Sequence, residues 1–99
     1  MLYAIIGEDV PNSLPLRQQA RGKHLERIAA LKEAGRLILA GPFPAIDTPD
    51  PGDDGFSGSL IIAEFASLEE AQAWVDADSY VTEGVFHQVT VKPFKQTLP

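Results

Sequence analysis

Apolar and polar positions along the chain form four short apolar runs and two longer helix-forming stretches. Leu2–Ile6 is apolar throughout and is closed by Gly7 and a polar turn holding Asp9, Pro11, Asn12 and Ser13, the pattern of a strand followed by a loop. From Leu14 to about Ala34 the residues are strong helix formers. Pro15 falls in the first turn, where its missing N–H matters least, Ser13 is placed to cap the start, and Gly35 supplies the stop. Arg36–Phe43 carries Leu37-Ile38-Leu39-Ala40 and reads as a second strand, and Leu60–Phe65 as a third. Ser67-Leu68-Glu69-Glu70 matches a capping box, which predicts a second helix running to about Asp78. Val85–Lys92 alternates as a fourth strand and stops at Pro93.

The order is β-α-β-β-α-β, which predicts a single ferredoxin-like α+β domain over residues 1–99, with an antiparallel sheet and both helices on one face. A sheet with one wet face alternates apolar and polar residues. The first three strands are apolar at nearly every position, so both faces need cover, and a second copy of the chain stacked sheet to sheet supplies it most simply. The expectation is a homodimer.

Composition narrows the function. Fourteen acidic and eight basic side chains leave a formal charge of −6, which repels nucleic acid and an anionic membrane surface alike. There is no cysteine, which removes disulfides, zinc–thiolate sites and thiol nucleophiles. The opening Met1–Gly7 lacks a charged region and is too short for a signal segment or a membrane span, so the cytoplasm is the expected location. No glycine-rich phosphate loop or dinucleotide fingerprint is present, and no cofactor is expected.

Candidate chemistry comes from the helices. At about 100° per residue, Arg17, Arg21, His24, Ile28 and Leu31 share one sector of the first helix. Ile28 and Leu31 mark that sector as the core side, so two arginines and an imidazole continue an inward stripe where charge needs a cleft or a counter-charge. Such a group suits a small anionic ligand. The same wheel on the second helix aligns Leu68, Ala71, Trp74, Val75 and Asp78, which puts an inward carboxylate at a helix C-terminus, against the macrodipole. Antiparallel helices bring His24 and Asp78 together. A carboxylate on one ring nitrogen fixes the tautomer and leaves the other as general base or acid. The same spacing also fits an interior histidine satisfied by Asp78 for packing alone.

Other positions carry weaker signals. The loop Pro44–Gly55, with Asp47, Asp50, Asp53 and Asp54, lacks the ligand spacing of an EF-hand and reads as a solvated loop placed to cover a cleft. His87 has no partner histidine at ligand spacing, so no metal site is expected. Ser57 and Ser59 lie among glycines at the start of the third strand without a nucleophile-elbow pattern, and their hydroxyls are candidates to line a cleft. Trp74, Phe65 and Phe94 read as packing residues.

These residues together resemble the YciI-like (YCII-related) family. The likeness rests on Met1-Leu2-Tyr3, on Arg17, Arg21, His24 and Leu25, and on Gly35-Arg36-Leu37 with Ala40-Gly41-Pro42. It continues through Gly55-Phe56 with Gly58-Ser59, Ala73-Trp74 to Asp78 and Tyr80, and Val91-Lys92-Pro93-Phe94. The resemblance implies a dimeric α/β barrel built from ferredoxin-like subunits, with a site centred on His24 and Asp78. Arg17, Arg21, Ser59 and Tyr80 would bind substrate. One departure is Ser79, where the family usually has proline. Relatives with assigned chemistry dehalogenate muconate-like ring-cleavage products. The resemblance therefore implies a cofactor-independent hydrolase, dehalogenase or lyase acting on a small anionic metabolite. The alternative is a non-catalytic dimeric module that binds a small carboxylate or a partner protein.

Overall fold

Strand β1 (Leu2–Asp9) lies inside the sheet of the computed structural model, which describes the whole chain from Met1 to Pro99. It is followed by α1 (Leu14–Glu33), β2 (Leu37–Pro44), β3 (Phe56–Glu64), α2 (Leu68–Asp76), α3 (Ser79–Thr82) and β4 (Phe86–Phe94). The sheet order is β2-β3-β1-β4 and every neighbouring pair is antiparallel. This is the expected ferredoxin-like α+β arrangement.

Register explains how the two faces divide. Tyr3, Ile5 and Gly7 of β1 lie opposite Ala63, Ile61 and Ser59 of β3, and opposite Pro93, Val91 and Val89 of β4. Tyr3, Ile5, Ile61 and Ala63 then pack with Leu31 of α1 and Ala71 and Val75 of α2 into one buried cluster, so both long helices cover the same face. The opposite face carries Leu2, Ala4, Ile6, Leu60 and Ile62, with Leu39 at 45% exposure and Phe43 at 40% toward the β2 edge. No helix of the chain covers that second face.

Close approach sets two glycines. A Cβ on Gly58 would run into the Gly7 carbonyl across the β1–β3 ladder, and one on Gly7 would run into the Phe86 ring. Gly58 interrupts the apolar pattern, and β3 starts at Phe56, four residues before the apolar run at Leu60.

Two local expectations are corrected. The second helix stops at Asp76, and Asp78 is the N-cap of the separate turn α3, its side chain accepting from the Tyr80 amide at 3.1 Å. An N-terminal carboxylate is favoured by the helix dipole, so the conflict expected of Asp78 does not arise. Ser13 precedes α1 without a side-chain capping bond: its backbone is already helical, at φ −75° and ψ −11°, and its hydroxyl donates to Asp9 Oδ2 at 2.5 Å.

Candidate active site

Helix α1 carries the site because its inward stripe turns polar toward its N-terminus. Leu31 lies in the core, while Arg17 and His24, 6% and 8% exposed, face a cleft between α1 and strands β2 and β3. The cleft encloses about 310 Å³. His24 and Tyr80 form part of its wall, Ser59 and Ile61 line it from β3, and Arg21 is exposed beside it. Its β2 side is made by Ala40, Gly41 and Pro42. The loop between β2 and β3 does not cover it: no residue from Pro44 to Gly55 is among its lining.

His24 Nδ1 lies 2.8 Å from Asp78 Oδ2. Asp78 is 1% exposed, and its remaining needs are met by the Tyr80 amide and by Arg27, which donates Nη1–H to Oδ1 at 2.9 Å. Arg27 is itself held over the Trp74 ring, 4.3 Å from its centroid. Burial pushes the Asp78 carboxyl upward. The hydrogen bond and charge of His24, the Tyr80 amide and Arg27 outweigh burial and hold it below its ordinary value of 3.8. An ionised Asp78 can accept an Nδ1–H from the imidazole, an arrangement that leaves Nε2 as the ring nitrogen free to act on a ligand.

Tyr80 supports the same ring from its face, with centroids 3.9 Å apart and planes 6° from parallel. Burial raises its phenol above the ordinary 10.0, and the charges of Arg17 and Arg21 offset that only in part, so Tyr80 is a neutral hydrogen-bonding group at neutral pH. Ser79 donates its hydroxyl to the Ala20 carbonyl at 2.8 Å and ties α3 to α1.

Arg17 is fixed by protein acceptors. Its Nε and Nη2 donate to the two oxygens of Asp9 at 2.6 and 2.9 Å, and Nη2 also reaches Gly58 O at 2.8 Å and Ser59 Oγ at 3.0 Å. Its guanidinium sits 5.1 Å from the ring centroids of both Phe56 and Tyr80. The structure thus gathers His24, Asp78, Arg17, Arg21, Ser59 and Tyr80 at one place, whereas Ser57, the other hydroxyl expected to line a cleft, is exposed and outside the lining.

Two residues that serve the site are given no such role by the sequence. Arg27 follows His24 by three positions and so lies on the adjoining helix face. Asp9 continues the inward row Tyr3, Ile5, Gly7 and is a turn residue only by composition. No three His, Cys, Asp or Glu side chains come together as a metal cluster, and His87 is exposed on β4. No helix is long and apolar enough to cross a membrane.

Fold and site together define a ferredoxin-like α+β protein with a histidine–carboxylate pair whose imidazole forms part of the wall of a small cleft. The chain belongs to the YCII-related domain family, which it matches over residues 1–95. It is 55% identical over 96 residues to Protein YciI of Escherichia coli, covering 97% of this chain and 98% of that one. An uncharacterized Haemophilus influenzae protein is 46% identical over the same length, with the same coverage. Among solved structures, the chain is similar to 5-chloro-2-hydroxyhydroquinone dehydrochlorinase (TftG) of Burkholderia phenoliruptrix in complex with 2,5-dihydroxybenzoquinone. The TM-score is 0.84 and the identity 29%, over 96% of this chain and 94% of that one.

Proposed function

We propose that this protein is an acid–base enzyme, needing no cofactor, that acts on a small anionic or ring-hydroxylated metabolite by elimination, dehalogenation or hydrolysis. The observation that carries this reading is the 2.8 Å contact between His24 Nδ1, on the wall of a cleft of about 310 Å³, and the buried Asp78 behind it. His24 Nε2 acts as the general base, Asp78 orients the ring, Arg21 attracts the anion, and Tyr80 and Ser59 bind its oxygens. Arg17 acts through the groups it holds.

The likeness to a dehydrochlorinase supports the reaction class. Dehydrochlorination removes one proton and one chloride, so it needs a base to take the first and a cationic wall to favour the departing anion. His24 and Arg21 have those properties. Two subunits stacked through the bare sheet face would complete a dimeric barrel and cover Leu39 and Phe43.

The test is a screen of chlorinated hydroxyhydroquinones and muconate-type acids for chloride or product release, with 2,5-dihydroxybenzoquinone titrated as a binding probe. Turnover should fall by about 10²–10⁴ in His24→Ala. Turnover that survives that substitution removes the catalytic role, and saturable binding without any turnover favours a binding module.

A further inference from the structure

Among the three buried serine hydroxyls, one stands apart in what it does with its proton. Ser13 donates to Asp9 and Ser79 donates to the Ala20 carbonyl. Ser59, 5% exposed, only accepts: Arg17 Nη2 donates to its Oγ at 3.0 Å, and no acceptor in the chain takes its own proton. The direction of that bond is fixed, because a guanidinium has no acceptor.

Ser59 lies on the helix-covered face of β3, opposite Gly7, and lines the same cleft as His24. We infer that the Ser59 hydroxyl is an oxyanion donor, preset to bind a ligand oxygen that carries or gains negative charge. Arg17 is then a positioning residue. Two bonds to Asp9 and one to Gly58 O hold its guanidinium still, and its bond to Oγ both aims the hydroxyl and polarises it. Asp9 offsets the charge of Arg17, so the group works as a directed dipole more than as a free cation. The ligand class is a small molecule with a carbonyl, enolate or phenolate oxygen. When His24 removes a proton from such a molecule, the charge builds on an oxygen, and a donor already in place stabilises it without rearrangement. This inference rests on the acid–base reading above, and deepens it by assigning the group that receives the charge.

The experiment compares 2,5-dihydroxybenzoquinone binding by calorimetry in the wild type, Ser59→Ala, Ser59→Thr and the exposed control Ser57→Ala. Ser59→Ala should weaken binding about tenfold or more, whereas Ser59→Thr, which keeps the hydroxyl, and Ser57→Ala should stay near wild type. Equal binding by Ser59→Ala and the wild type overturns the inference. So does equal loss in the alanine and threonine variants, which would mean that shape matters and the proton does not. A wild type that does not bind the probe overturns it as well. The two proposals fail separately. Turnover persisting in His24→Ala with the Ser59 effect intact removes only the base, and loss of turnover in His24→Ala with no Ser59 effect removes only the donor.

Discussion

The imidazole of His24 lies flat on the phenol ring of Tyr80, 3.9 Å between centroids and 6° between planes. That stack fixes the plane of the imidazole, and the bond from Nδ1 to Asp78 fixes its rotation within the plane. Both constraints come from one tight turn. Asp78 starts α3 as its N-cap, and Tyr80, two residues on, presents its amide to the same carboxylate and its ring to the same histidine. A turn of four residues therefore orients the imidazole on the neighbouring helix.

The acid dependence of stability follows from Asp78. Its folded carboxyl is held below the ordinary 3.8, so its contribution is complete above that value and is lost as pH falls from about 3.8 through the folded value. Urea unfolding of the wild type should show stability falling in that window, with a shallower fall in Asp78→Asn. Parallel curves would show that Asp78 is not held ionised by its neighbours.

Arg27 is the donor on the far side of that carboxylate. Arg27→Met keeps an apolar contact with Trp74 but removes the bond to Oδ1, and should destabilise the fold by about 1–3 kcal/mol. Trp74 is the single tryptophan, so its fluorescence follows both the unfolding and the loss of the cation from its face. An unchanged midpoint would assign Arg27 to the surface.

The uncovered sheet face makes a separate prediction. Leu39 and Phe43 are exposed on a face that also holds Leu60 and Ile62. If a second copy stacks there, sedimentation gives a dimer for the wild type and a monomer for Leu39→Glu, because a buried unpaired carboxylate opposes association. A monomeric wild type at high concentration would contradict the stacked arrangement.

Much of this was legible in the sequence because apolar periodicity dictates which faces turn inward. The wheel that placed His24 with Ile28 and Leu31 needed only a regular helix, which α1 is. Asp78 was located for a partly wrong reason: helical spacing pointed it inward, while the structure breaks the helix at Ala77 and uses Asp78 to begin another. Both geometries face α1, so the partner was the same. Arg27 escaped because an arginine that bonds a buried carboxylate and one that lies on the surface occupy the same helical spacing. Asp9 escaped because turn composition hid its place in the inward row of β1. The apolar pattern starts β3 late, at Leu60, because Gly58 meets a close backbone, a contact across strands that no local pattern reports.

On the proposed mechanism, Asp78 holds His24 with Nδ1 protonated and Nε2 free to act on a ligand. A long-range 1H–15N spectrum of the imidazoles, taken where His24 is neutral, reads this directly, with exposed His87 as the reference. The account predicts the Nδ1–H tautomer for His24 in the wild type and a shift toward Nε2–H in Asp78→Asn. An Nε2–H tautomer in the wild type would contradict it, because the nitrogen left for the cleft would then carry a proton and could not serve as the base.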